Sequence, residues 1–198
     1  NGVFAFSSEI KSLLVLPWIK AELDEQALYH FLTFNSVPPP GTMFRNIFKF
    51  HPGHKMTINR TGIALYEPFW EVTYSDYGST KPEQLEELIF NSISQSVEAR
   101  MISDVPVGAF LSGGVDSSSV VALMAQHSSY PIKTYSIGFE NSPEYDELDN
   151  ARKMAALFKT DHHEKIVTPN EIREFLPRVA KIFDEPLADA TAIPIYFL

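Results

Sequence analysis

The sequence predicts an α/β protein built on a parallel sheet, preceded by a smaller block of mixed α+β character. Two observations carry the parallel sheet. From residue 107 onward, short apolar runs alternate with stretches of helical periodicity, the pattern of βαβ units with right-handed crossovers. The first of these runs, Val107 to Leu111, breaks at Ser112-Gly113-Gly114, and a helical pattern opens directly behind it. A third observation sets the upstream block apart. Its β segments, around Lys55–Asn59 and Gly62–Tyr66, are separated by a short turn rather than by a helix, which reads as a hairpin.

Taken in order, Val3–Phe6 reads as a short strand and Ser8–Leu16 as a short helix ended by Pro17. Asp24–Leu32 reads as a second helix, with Leu28, Phe31 and Leu32 on one face. Val37-Pro-Pro-Pro-Gly41 is a rigid turn. Ile47–Phe50 then joins the two hairpin strands as β structure, with turns at Pro52-Gly53 and Arg60-Thr61-Gly62. The expected block is 1–66, followed by a linker at 67–80 that lacks periodicity and carries Pro68, Gly78 and Ser79.

The second domain is expected over 81–198. Thr80-Lys-Pro-Glu83 has the form of a capping box with proline in the first turn. Leu85, Leu88, Ile89, Ile93, Val97 and Met101 follow at helical spacing, with an end near Ser103. The alternation then predicts strands at Val107–Leu111, Ile132–Ile137 and His163–Val167. Helices are expected at Ser117–Gln126, Asp146–Phe158 and Glu171–Phe183. Ligands of such sheets bind beyond the C-terminal ends of the strands. That rule gathers Ser112–Ser118, Gly138–Glu140 and the segment after Phe183 around one crevice.

The junction at Ser112 carries the chemistry. Adjacent glycines accept positive φ and let backbone N–H groups approach an oxyanion. The unpaired N–H groups of a first helical turn and the helix dipole add to this. Hydroxyls of Ser112, Ser117 and Ser118 supply further donors. Asp116 has two readings. It can cap the helix together with Ser117, or it can hold a Mg²⁺ that bridges to phosphate oxygens. The motif has no Gly-Lys-Ser/Thr and is not Gly-x-Gly-x-x-Gly.

Other polar groups have plainer readings. Asp184, Glu185 and Asp189 form either a solvated acidic loop or a cation site set among apolar neighbours. In the second case Asp116 and Asp189 would share Mg²⁺, and Glu185 could serve as a base toward an amine. Adjacent His162 and His163 point to opposite faces of a strand and chelate one ion poorly. His30, His51 and His54 lack partners at metal spacing. The acids of Glu144-Tyr-Asp-Glu147 suit the positive end of a helix, with a role toward substrate as the lesser alternative.

Bulk properties narrow the class. A net charge of −9 without a basic block argues against general nucleic-acid or membrane-surface binding. No apolar run approaches the about 18–20 residues of a membrane span. The absence of cysteine removes disulfides and thiolate chemistry from these residues, and a cytoplasmic setting is the expectation. The chain opens on Asn1 and stops in the apolar run Ala192–Leu198, and it reads as an internal piece of a longer protein.

Ser112-Gly-Gly-Val-Asp-Ser117 resembles the PP-loop of ATP pyrophosphatases, which split ATP into AMP and pyrophosphate to activate a carboxylate or carbonyl oxygen. With its flank Arg100-Met-Ile-Ser-Asp-Val-Pro-Val-Gly it is similar to the hallmark of glutamine-hydrolysing asparagine synthetases. The resemblance extends to Ser136-Ile-Gly-Phe, Tyr145-Asp-Glu, His162-His-Glu and Asp184-Glu-Pro-Leu-Ala-Asp with Ala192-Ile-Pro. Upstream it takes in Phe6-Ser-Ser-Glu-Ile-Lys-Ser-Leu and Pro52-Gly-His. It implies the end of an Ntn-type glutaminase domain followed by the start of a PP-loop ATP-binding domain.

By that resemblance, ATP adenylates the side-chain carboxylate of aspartate, and ammonia released from glutamine converts the acyl-adenylate to asparagine, AMP and pyrophosphate. Ser112, Gly113, Gly114, Asp116, Ser117 and Ser118 would hold pyrophosphate, with Asp116 and Asp189 on Mg²⁺. Leu111 and Ser136, Ile137 and Gly138 would hold adenosine, and Glu185 would lie near the reacting carbonyl. The partners are small molecules (ATP, aspartate and glutamine-derived ammonia), and a homodimer is compatible. The cysteine nucleophile would lie before Asn1 and a pyrophosphate-stabilising lysine beyond Leu198, so the 198 residues alone are expected not to turn over. The alternatives are a relative that adenylates another acid, as β-lactam-forming synthetases do, and a non-catalytic nucleotide-binding scaffold.

Overall fold

The computed structural model describes residues 3–140, 147–189 and 191–198. The chain forms two compact units. The first comprises Asn1–Asp76 and Pro177–Ala190, the second Tyr77–Leu176 and Thr191–Leu198.

In the first unit α1 (Ile10–Leu14) is shorter than the sequence suggests. α2 (Glu25–Phe34) starts where expected because the Asp24 carboxylate accepts from the N–H groups of Gln26 and Ala27, both at 3.0 Å. It ends at Asn35, whose φ of 56° leaves the helical region. Ala27 of α2 packs with Val37 and Met43, and Leu28, Phe31 and Phe44 close the cluster. The hairpin is present as β1 (His54–Asn59) and β2 (Gly62–Pro68), antiparallel around the turn Arg60-Thr61. Asn59 Oδ1 accepts from the Thr61 amide at 2.9 Å and fixes that turn. A register shift between Thr57 and Ile58 bends the ladder. The rings of His51, His54 and Tyr66 pack against one another, His54 on Tyr66 at 5.1 Å.

Two expected strands of this unit are absent. Val3–Phe6 has no ladder partner among the described residues, and its apolar side chains are exposed. Ile47–Phe50 is held in irregular backbone instead. The Thr42 hydroxyl lies 2.8 Å from the Ile47 carbonyl oxygen, and the Lys49 amide donates to the Pro40 carbonyl. Apolar content alone does not make a strand when the backbone groups find turn partners first.

The second unit begins with α3 (Pro82–Arg100). Its capping box sits one residue later than expected, with Gln84 Oε1 accepting from the Lys81 amide at 3.4 Å. β3 (Gly108–Phe110), β4 (Lys133–Phe139) and β5 (Asp161–Val167) form a parallel sheet in that order. α4 (Val115–His127) and α5 (Leu148–Phe158) make the crossovers. Sequential strand order with right-handed crossovers puts both helices on one face. There Leu111, Val121, Ala151 and Ala155 form the core, with Ala109, Met154 and Phe158 at its edge. Burial of Leu111 and Val121 is worth about 1.5–3 kcal/mol each. A second cluster joins α3 to α4 through Val97, Leu123 and Met124, with Ile132 just before β4.

The expected start of α5 at Asp146, with Glu144 and Tyr145, lies outside the described residues. α6 (Pro169–Phe183) begins two residues earlier than expected. Thr168 and Glu171 form the reciprocal cap, the Thr168 amide donating to Glu171 Oε2 at 2.8 Å and the Glu171 amide to Thr168 Oγ1 at 3.2 Å. The last apolar run, Ala192–Phe197, is a helix, α7, packed on Phe175 with the Tyr196 ring at 4.1 Å. Pro194 is tolerated there because it sits in the first turn.

Candidate functional site

The strand β3 hands over to α4 through Ser112-Gly113-Gly114. Gly113 has φ +80°, and a Cβ there would meet Asn150 and the Ala151 amide nitrogen at 2.6 Å. Only glycine closes this turn against the start of α5. Ser112 and Ser117 brace it: their hydroxyls are 2.9 Å apart, the Ser112 amide donates to Ser117 Oγ at 3.2 Å and the Gly114 amide to Ser112 Oγ at 3.2 Å. The adjoining strand is tied in by the Leu111 amide, which donates to the Tyr135 carbonyl at 2.9 Å, and by the Ser136 hydroxyl, which donates to the Leu111 carbonyl.

Gly114 is the N-cap of α4, and no side chain caps the helix. The capping reading of Asp116 and Ser117 therefore does not hold. Asp116 sits exposed in the first helical turn, and no ion pair or hydrogen bond of its carboxylate is seen among the described residues. The first-turn N–H groups of α4, which no helix can pair internally, keep their donors for an outside acceptor. Ser118 Oγ is buried and also without a hydrogen-bond partner among the described residues. A buried polar atom of this kind costs free energy unless something binds it.

A cleft of about 180 Å³ opens beside the turn, lined by Leu111, Ser112, Ser117, Tyr135, Ser136 and Ile137 among others. The strand ends expected to meet a ring, Leu111, Ser136 and Ile137, thus share one cavity with the two bracing serines. Gly138 is one residue further along, buried within β4. Glu147 and Leu198 also line the cleft. The sequence reads Glu147 as a helix-end acid with a role toward substrate as the lesser alternative, and Leu198 gives no signal beyond apolarity.

His162 and His163 face opposite ways, as alternation on a strand requires. His162 Nδ1 is 2.9 Å from the Thr134 hydroxyl, while the His163 ring stacks on Tyr135 at 5.3 Å. Glu164 takes a two-point contact from Arg152, both at 2.8 Å. The guanidinium holds that carboxyl below its ordinary range, against the opposing effect of burial. No group of three or more His, Asp or Glu suited to a metal is present among the described residues.

The acidic loop behaves differently. Asp184 and Glu185 belong to the first unit and are each engaged there. Lys11 lies 3.3 Å from Asp184 Oδ1, and Lys49 lies 2.9 Å from Glu185 Oε2. The Met43 amide donates to Glu185 Oε1 at 2.7 Å. Each oxygen keeps a further acceptor site, so these contacts hold Glu185 in place without filling its carboxylate. Asp189 is exposed in the same loop of the first unit. The structure thus brings Leu111, Ser112, Gly113, Gly114, Asp116, Ser117, Ser118 and Ser136–Gly138 together within one unit and describes Glu185 and Asp189 in the other.

A parallel sheet with an uncapped helix terminus behind a glycine turn is the arrangement that phosphate-binding α/β domains use. Residues 89–198 match the asparagine synthase family model, and residues 1–70 match the glutamine amidotransferase domain model. The chain belongs to the asparagine synthase family. It is 37% identical over its whole length to "Asparagine synthetase [glutamine-hydrolyzing] 1" of Bacillus subtilis, covering 31% of that protein. It is 29% identical to "Asparagine synthetase [glutamine-hydrolyzing] 3" of the same organism, over 98% of this chain and 34% of that protein. The chain therefore spans about a third of the length of these curated relatives. No helix among the described residues is long and apolar enough to cross a membrane.

Proposed function

We propose that the protein carrying this chain is an ATP-dependent carbon–nitrogen ligase that amidates aspartate with nitrogen taken from glutamine. Residues 1–66 are then the end of the glutaminase part, 67–80 the linker and 81–198 the beginning of the ATP-binding part. One observation carries the site assignment. The first turn of α4 presents open N–H donors at a point braced by Ser112 and Ser117, and the buried Ser118 hydroxyl of the same turn has no partner among the described residues. An oxyanion satisfies such a cluster, and a pyrophosphate group offers several at once.

In this reading Ser112, Gly113, Gly114, Ser117 and Ser118 hold the pyrophosphate of ATP. Leu111 and Ser136–Gly138 flank its adenosine, which the cleft beside the turn supports. The exposed Asp116 carboxylate and the serine hydroxyls offer hard oxygen donors, which suit Mg²⁺. When bound, that ion offsets charge on the departing pyrophosphate. The test is pyrophosphate release from Mg-ATP by the full-length protein, with and without aspartate and with glutamine as nitrogen source. Aspartate-dependent release accompanied by asparagine is the expected result. Release that ignores aspartate and answers to another acid overturns the choice of substrate.

A further inference from the structure

We infer that Asp184 and Glu185 are a docking element that fixes a segment of the synthase-type sequence onto the amidotransferase-type sequence, with Lys11 and Lys49 as its receptors. The inference rests on the functional reading above for its consequence in turnover, but not for the contacts themselves. Residues 177–190 fall within the asparagine synthase match, yet they belong to the same compact unit as residues 1–76, which contain the amidotransferase match.

The two carboxylates are held in the same manner. Asp184 takes the Lys11 amide on Oδ2 at 3.2 Å and the Lys11 ammonium on Oδ1 at 3.3 Å. Glu185 takes the Met43 amide on Oε1 and the Lys49 ammonium on Oε2. Each therefore has one backbone N–H and one ammonium on its two oxygens. A loop kept acidic only for solubility has no need of such contacts; here the side chains retain 11% and 17% exposure.

The receptors are themselves anchored. The Lys11 ammonium donates to the carbonyls of Lys181 and Ile182 at 3.1 and 3.0 Å, closing the C-terminal end of α6. Asp184 follows in the left-handed region at φ 61°, which turns the chain back toward Lys11. The Lys49 ammonium donates to the Val37 carbonyl at 2.9 Å, and Met43 belongs to the buried cluster with Val37 and Ala27. Glu185 thereby grips the wall of a small core. Partly buried pairs of this kind contribute little net stability but discriminate one arrangement from others.

The role assigned is positioning. Ammonia set free in one half must meet the acyl-adenylate in the other, and a misplaced segment lets it escape to solvent. The experiment uses the full-length protein with Lys49→Met, Lys11→Met and Lys49→Arg. Hydrogen exchange at the Met43 amide should quicken about tenfold in Lys49→Met, as expected when a charged acceptor is released, and stay near wild type in Lys49→Arg. Asparagine formation fed by ammonium salts should stay within about twofold, whereas glutamine-fed synthesis drops about tenfold with more than one glutamate made per asparagine. Unchanged exchange overturns the docking contact. An equal fall with both nitrogen sources overturns the positioning role. A wild-type protein that makes no asparagine from either source defeats the functional reading instead, and the exchange data still decide the contact.

Discussion

The glycine turn at Ser112–Ser118 and the acidic loop at Asp184–Glu185 are the two polar clusters that stand out in the sequence, and the structure treats them in opposite ways. In the turn, donors are left over: a helix terminus without a side-chain cap and a buried serine hydroxyl without a partner. In the loop, every oxygen of two carboxylates has a donor. A cluster whose every oxygen is engaged at home holds the chain together. A cluster with unmet capacity is poised to bind something else.

The comparison can be broken most severely at Gly113. Gly113→Ala places a side chain at positive φ, costing about 1–2 kcal/mol from backbone strain alone. It also drives that side chain into Asn150 and Ala151. We expect loss of ATP-dependent pyrophosphate release together with a lowered denaturation midpoint. Gly62→Ala is the control, since it too has positive φ but meets nothing within 4 Å, and it should cost only the backbone term.

A smaller effect is expected at Asp116. Asp116→Asn keeps the fold, because the carboxylate supports no contact among the described residues. It should slow pyrophosphate release about 10²-fold, the scale of losing one electrostatic contact in a transition state, with partial recovery at raised Mg²⁺. Steady-state rates across a Mg²⁺ titration check this.

Ser118→Ala sharpens the contrast between satisfied and unsatisfied groups. Removing a buried, unpartnered hydroxyl should leave the unliganded protein as stable as wild type or more stable by about 1 kcal/mol, while the KM for ATP rises. A large destabilisation would show that Ser118 has a structural partner and remove it from the site.

The mildest effect lies outside both clusters. Glu171 is held down to about 2 from its ordinary 4.5, first by the Lys165 hydrogen bond and then by the Thr168 amide and hydroxyl. Because the folded value is depressed, the stabilisation of the α6 cap is complete above the unfolded pKa near 4.5. It is lost as pH falls toward 2. A carboxyl NMR titration should find this midpoint well below that of an exposed glutamate.

The parallel core was legible because β3, β4 and β5 alternate with helices whose apolar faces repeat at helical spacing, and because Gly113 and Gly114 mark the break between strand and helix. The residues of the turn, to which the proposed function assigns pyrophosphate, carry the same signal. What escaped were features set by partners distant in sequence. Val3–Phe6 and Ile47–Phe50 have strand-like composition but no ladder to join. The commitment of Glu185 depends on Lys49 and the Met43 amide, 142 residues from Glu185 in the second case, and no local pattern announces them. The Thr168–Glu171 spacing is itself a capping pattern, so the early start of α6 is a local feature rather than a distant one. The apolar run Ala192–Phe197 carries no helical signal of its own, and the place of Pro194 in a first turn comes from the fold.

The attachment of residues 177–190 to the first unit bears on recombination between family members. The natural seam for exchanging amidotransferase parts between relatives is the irregular stretch at residues 69–80, yet a crossover there would inherit Lys11 and Lys49 from one parent and Asp184 and Glu185 from the other. Chimaeras should survive where both parents keep this quartet, and those that do not should regain function when the four positions are transplanted together.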